Sequence, residues 1–219
     1  MAKRRVAILI SGRGSNMAAL IAAAQAADFP AEIALVLSNR PDAIGLAAAR
    51  EAGIATVVVY HTRFGKDREG FERALQGELE TQRIDIVCLA GFMRLLSPWF
   101  VERWQGRMLN IHPAMLPAFK GLDTHERALA AGVKIHGATV HFVIPEMDSG
   151  PVIAQGALAV RDEDTAETLA ARVLAVEHRI YPLALRLVAE GRVRVENGRC
   201  RIDGARDRDS MLLVPAAEA

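Results

Sequence analysis

Cysteine is scarce. The chain of 219 residues holds two, Cys88 and Cys200, set far apart and without the paired spacing of a zinc site, a redox motif or a disulfide framework. Both read as reduced and structural. A charge excess of one sign is lacking as well, since 27 Lys and Arg against 26 Asp and Glu leave a net +1. Without a global basic field of the kind that drives binding to a phosphate backbone, nucleic acid is not an expected partner. Long apolar runs are missing too. The basic start Lys3-Arg4-Arg5 leads into Val6–Ile10, but that run stops at Ser11-Gly12-Arg13-Gly14, too soon for a secretory signal. Arg, Asp, Glu or Gly interrupts every hydrophobic segment before the ~20 residues that a membrane span requires. The expectation is a soluble, cytoplasmic protein with no membrane partner. Internal repeats, low-complexity segments and linkers that would force a second domain are also absent.

What remains is half hydrophobic, 51% of residues, enough for one well-filled core. Short Val- and Ile-rich runs alternate with Ala- and Leu-rich segments of helical period, the pattern of an α/β protein with an open, mostly parallel twisted sheet and helices on both faces. The pattern predicts strands at 5–10, 32–37, 56–60, 85–90, 107–111, 136–144 and 152–160. It predicts helices over 17–27, 43–52, 68–82, 98–104, 124–131 and 165–190. Asp85–Ala90 is almost wholly apolar, as a strand buried between two helix layers should be. Near the end, Asn197-Gly198 stands between two alternating runs, a strong signal for a small C-terminal β-hairpin over about 192–203. Residues 1–203 are expected to form one catalytic domain and 204–219 a loose tail.

Val6–Ile10 runs through Ser11-Gly12-Arg13-Gly14-Ser15-Asn16 straight into a helix. Free backbone N–H groups and the positive end of the helix dipole then face whatever sits at the turn, and glycines let an anion come close. A dinucleotide loop would carry a third glycine, but position 17 is Met. The second strand ends in Ser38-Asn39-Arg40 rather than the acid that would hold a ribose hydroxyl. A single phosphate on a smaller ligand is the reading; a ligand-free turn capped by Ser15 or Asn16 is the alternative.

In Leu109-Asn110-Ile111-His112-Pro113 the strand pleat puts Asn110 and His112 on one side and Ile111 on the other. They stand at a strand's carboxyl end, where ligands of open α/β sheets bind. The turn Glu146-Met147-Asp148-Ser149-Gly150-Pro151 brings a third group, Asp148, over the imidazole. Histidine, amide and carboxylate suit acyl transfer: Asn110 and a protonated His112 supply donors to a developing oxyanion, and a carboxylate favours the charged ring. No Ser or Cys beside His112 forms a nucleophile motif, so direct attack by an acceptor amine is expected rather than a covalent enzyme intermediate. A satisfied Asn–His pair and an ordinary turn remain as the plain alternatives.

Taken together, the Ser11–Asn16 turn, Ala90-Gly91-Phe92-Met93-Arg94, Asn110–Pro117, His136-Gly137-Ala138-Thr139-Val140-His141 and Asp148-Ser149-Gly150-Pro151 resemble the folate-dependent formyltransferases over roughly residues 5–195. Within that family the chain is most similar to the branch that formylates phosphoribosylglycinamide. The resemblance implies a Rossmann-like formyltransferase fold and transfer of formyl from 10-formyltetrahydrofolate, as cosubstrate, to the glycyl amine of 5-phosphoribosylglycinamide in purine biosynthesis, without a metal. It implies that Gly14, Ser15 and Asn16 hold the phosphate and that Glu177 contacts the acceptor. His112 becomes the principal catalytic residue, Asn110 assists at the oxyanion and in the folate site, and Asp148 tunes His112 and relays a proton through water. Arg68, Met93, Arg94, Leu95 and Leu96 would line the folate site, with Arg63 and Lys66 as alternatives to Arg68. Apart from the resemblance, Arg94 reads as a solvated charge, Met93–Leu96 as a core edge and Glu177 as an exposed helix residue. His125 and His136 read as hydrogen-bonded structural histidines, with His141 open to a role. Position 123 is Asp where relatives often have His.

Among rivals, formyltetrahydrofolate hydrolase carries an added N-terminal domain and methionyl-tRNA formyltransferase an added basic C-terminal one, and neither is expected in this chain. A noncatalytic nucleotide-phosphate binding module and a nicotinamide-dependent oxidoreductase are the readings from other classes. The expected partners are small-molecule substrates, with a homodimer left open.

Overall fold

A computed structural model describes residues 2–205 together with Leu213 and Val214. Strands β1 (Arg4–Ile10), β2 (Ala31–Ser38), β3 (Thr56–Val58), β4 (Ile86–Leu89), β5 (Met108–His112), β6 (Ile135–Phe142) and β7 (Val152–Ala159) form one sheet in the order β3-β2-β1-β4-β5-β6-β7. The first five run parallel, while β6 pairs antiparallel with both β5 and β7. Helices α1 (Ser15–Ala24), α2 (Gly45–Glu51), α3 (Arg68–Thr81), α4 (Pro98–Arg103), α5 (Thr124–Ala130) and α6 (Ala166–Ala189) fill the connections, and β8 (Val193–Glu196) and β9 (Arg199–Ile202) make the expected hairpin.

The apolar residues of each strand serve both layers. Val6, Ile8, Ile10, Leu109 and Ile111 pack with Met17 and Leu20 of α1 and with Val173, Tyr181 and Leu185 of α6. Ala7, Leu9, Val87, Leu89 and Met108 turn to the other face, against Phe71 and Leu75 of α3 and Phe100 of α4. That two-sided burial is why Asp85–Ala90 carries no alternation. The sheet order reverses direction between β1 and β4, so the loops after these strands diverge and open a crevice at their carboxyl ends.

Boundaries differ from the expectation in particular places. Helix α1 begins at Ser15 rather than Met17 and ends at Ala24 rather than Ala27. Strand β3 stops at Val58, where its pairing with Ser38 of β2 ends, and an unexpected 3-10 turn follows at His61–Phe64. The tail expected over 204–219 lies, from 206 to 212 and from 215 to 219, outside the described residues.

Candidate active site

The glycine turn after β1 is shaped by Gly14, whose φ of 75° is left-handed and easy only without a Cβ. Gly14 is also the N-cap of α1, and no side chain caps the helix. The capped-turn alternative is therefore overturned: Ser15 does not cap, and Asn16 is turned inward. Asn16 is 8% exposed, its Nδ2 donates to Glu177 Oε2 at 2.5 Å, and its Oδ1 has no partner. Glu177 is likewise not the exposed helix residue of the plain reading. It is 7% exposed, and burial raises its carboxyl above the ordinary range, opposed by the bond from Asn16 and the charges of His178 and His112.

A cleft of about 520 Å³ opens between this turn and the loop after β4, lined by Gly12–Asn16, Gly91, Met93 and Arg94, with Arg40 and His61 on its far side. A small network holds its floor. The Met93 N–H donates to Ser11 Oγ at 2.8 Å, and Ser11 Oγ donates to Asn39 Oδ1 at 2.6 Å.

At the end of β5 the pleat acts as expected: Ile111 enters the α6 side of the core, leaving Asn110 and His112 on the opposite face. The two do not bond to each other. Asn110 pairs in register with His141 of β6, and its Nδ2 lies 3.3 Å from His141 Nε2. Burial lowers the His141 pKa, opposed by its bond to the Phe142 carbonyl and the charge of Asp148. A neutral ring fits its neighbours: Nδ1–H donates to Phe142 O at 2.8 Å and Nε2 accepts from Asn110, so the 3.9 Å approach of Asp148 Oδ1 to Nε2 is not an ion pair.

Asp148 stands at φ 50° at the tip of the β6–β7 loop, a left-handed conformation that Asp tolerates better than most side chains. Its Oδ2 lies 3.5 Å from His112 Nδ1 and accepts from the Gly121 N–H at 2.9 Å. His112 Nε2 is 2.9 Å from the Phe119 carbonyl. With a carboxylate near one nitrogen and a carbonyl on the other, the ring has an acceptor on each side. Asn110, His141, Asp148 and His112 thus form one chain of polar contacts. None of Asn110, His112 and Asp148 lines the 520 Å³ cleft; Glu177 links the two halves, holding Asn16 on one side and feeling the charge of His112 on the other.

The expected folate residues also gather. Arg68 starts α3, and its guanidinium donates to Leu95 O at 2.6 Å. Met93 and Leu95 are each 68% exposed, so the core-edge reading holds only for Leu96, which packs against the α3–α4 layer. Arg94 lies 6.0 Å from the Phe71 ring. The reading of His136 as a hydrogen-bonded residue is corrected: it is fully buried and neither ring nitrogen has a partner, its edges facing the rings of His125 and Phe119. Among the described residues, no group of three or more His, Cys, Asp and Glu side chains is placed to hold a metal ion. No helix among them is long and apolar enough to cross a membrane.

The fold and the site define an α/β protein with an open sheet whose carboxyl edge carries an uncapped glycine turn, a histidine, a carboxamide and a carboxylate. The similarities are narrower, for residues 4–185 match the formyl transferase family, and the chain belongs to it. It is 52% identical over 198 residues to the trifunctional purine biosynthetic protein adenosine-3 of Bos taurus, covering 90% of this chain but only 20% of that relative. To the phosphoribosylglycinamide formyltransferase of Escherichia coli it is 44% identical, over 92% of this chain and 94% of the relative. The crystal structure of glycinamide ribonucleotide transformylase 1 from Symbiobacterium toebii superposes with a TM-score of 0.88 at 44% identity, covering 91% of this chain and 94% of that one.

His141, open to a role on the sequence alone, takes its place in the site through the β5–β6 register.

Proposed function

We propose that the protein transfers the formyl group of 10-formyltetrahydrofolate to the glycyl amine of 5-phosphoribosylglycinamide, releasing tetrahydrofolate and the N-formyl product in purine biosynthesis, with residues 1–203 as one catalytic unit. The observation that carries this reading is the placement at one sheet edge of the His112–Asp148 pair, at the end of β5, and of the uncapped α1 turn after β1, whose Asn16 is held by Glu177. Near end-to-end similarity to a bacterial relative of that name supports the choice of substrates.

In this reading the first-turn N–H groups of Gly14, Ser15 and Asn16 hold the acceptor's phosphate. Asn16 Oδ1, buried and without a partner, accepts from the acceptor, and Glu177 accepts beside it. The donor lies along Met93–Leu96 with Arg68 at its far end. The amine nitrogen attacks the formyl carbon, the new C–N bond forms, and the bond to folate N10 breaks as the amine's proton passes to N10. Asn110 and His112 donate to the oxygen that becomes negative. For this, the His112 Nε2 proton exchanges the Phe119 carbonyl for the formyl oxygen. Asp148 keeps the ring oriented and passes the proton through water.

The test is to compare phosphoribosylglycinamide with the same acceptor lacking its phosphate. A fall in kcat/KM on the order of 100-fold or more is expected from loss of the charge-assisted bonds at the turn. Equal use of both acceptors would rule out a dedicated phosphate subsite.

A further inference from the structure

Glu72 carries a carboxylate with no exposed surface, on the side of α3 that faces the loop after β4. Every polar neighbour it has is a donor. The Ser97 N–H donates to Oε1 at 2.6 Å, Ser97 Oγ donates to Oε2, and Arg68 Nε donates to Oε1 at 3.3 Å. Accepting these three bonds, the carboxylate ties Ser97 and Arg68 to one side of α3. The residues it holds are the two ends of one device. Ser97 closes the Gly91–Leu96 loop and caps α4, its Oγ accepting from Phe100 N at 3.4 Å. Arg68 reaches from Glu72 to the same loop, at the Leu95 carbonyl.

A pair that served only the stability of α3 would look different. With Arg four residues before the acid, the order is the weaker one for a helical ion pair. Removing a whole carboxylate from water, opposite a guanidinium that is 46% exposed, costs more than a surface pair returns. The cost is met by fixing a loop in which Met93 and Leu95 stand out in solvent, between the Phe92 and Leu96 side chains that reach the core.

We propose that Glu72 is a positioning residue for the formyl donor: its carboxylate fixes the Arg68 guanidinium and the Met93–Leu96 loop in the arrangement that binds the folate, while touching neither substrate. This rests on the reading that Arg68 and Met93–Leu96 hold the donor.

Glu72→Gln keeps the shape, removes the charge and replaces one accepting oxygen with an N–H₂ group that cannot accept from the Arg68 guanidinium or the Ser97 N–H. Steady-state rates for the wild type, Glu72→Gln, Arg68→Ala and the double variant, with each substrate varied, test the assignment. The KM for 10-formyltetrahydrofolate is expected to rise about tenfold in Glu72→Gln, the scale of one lost charge-assisted bond, with the acceptor KM and kcat within about twofold. In the Arg68→Ala background the same substitution should add less than about twofold, because its effect passes through Arg68. A Kd for the donor from quenching of Trp99 and Trp104, the chain's two tryptophans, should follow the KM without turnover. Equal rises in both KM values, or full additivity with Arg68→Ala, would overturn the assignment. A wild type that does not consume the donor would instead sink the folate reading. Should Glu72→Gln not fold, Ser97→Ala carries the test, with a donor KM raised about threefold as the expected result and an unchanged one as the contrary.

Discussion

His112 has an acceptor on each side of its ring, Asp148 at 3.5 Å and the Phe119 carbonyl at 2.9 Å, while Asn110 stands two strand positions away on the same face, bonded to His141. If these groups stabilise the oxyanion, His112→Ala and Asn110→Ala should keep the fold and lose about 100- to 1,000-fold in kcat. Rates near the wild type with unchanged melting temperature would refute the roles. On the acceptor side, Glu177→Ala should raise the acceptor KM about tenfold and leave the donor KM alone, as measured by initial rates; equal shifts in both would count against it. Legibility at this scale was uneven. Asn110, His112 and Asp148 could be read because a strand's pleat and a six-residue turn are local facts. The depth of Glu177 could not, since whether a helix position faces solvent or the turn at Asn16 depends on how α1 and α6 pack. The partnerless nitrogens of His136 were equally hidden, because burial without bonding leaves no trace in composition.

Elements, by contrast, were largely legible. The two-sided burial of β4 and the uncapped strand–turn–helix at α1 follow from apolar runs and glycine. What failed was where contacts, not pattern, decide an end: β3 stops at Val58 and the chain bends into the 3-10 turn at His61–Phe64, held by bonds from the Val59 and His61 N–H groups to the Ser38 and Asn39 carbonyls. The β6–β7 loop shows the same dependence on contact. A Cβ added at Gly150 would fall 1.8 Å from the Phe142 carbonyl oxygen, so Gly150→Ala must move the loop that carries Asp148. The expected result is a kcat lowered at least about tenfold with the acceptor KM little changed; full activity would show that the loop absorbs the shift without moving the carboxylate. At the glycine turn, an added Cβ on Gly14 meets Met17 Cε at 3.1 Å and Gly45 Cα at 3.2 Å in a left-handed backbone. Gly14→Val should therefore weaken the phosphorylated acceptor far more than the folate by equilibrium titration, and equal losses would argue against a phosphate turn.

Over the whole molecule, buried histidine links stability to pH. Burial, with a contribution from the charge of His125, lowers the His136 pKa to about 4, against ~6.5 in an unfolded chain. Below ~6.5 the unfolded chain takes up the proton first, so the contribution is whole above that value and is lost as pH falls toward about 4, to a maximum of about 3 kcal/mol. His136→Phe should flatten the fall in denaturant-measured stability between pH 6.5 and 4; an unaltered slope would place the dependence elsewhere. The thiols should stay inert near neutrality, since burial pushes Cys88 up to about 12 and Cys200 to about 11. The central claim is that the sheet edge delivers a formyl group to an amine rather than to water. Loss of 10-formyltetrahydrofolate, followed with and without phosphoribosylglycinamide, tests it most directly: consumption that requires the acceptor and matches it mole for mole is the expected result, and consumption at the same rate in its absence would contradict it.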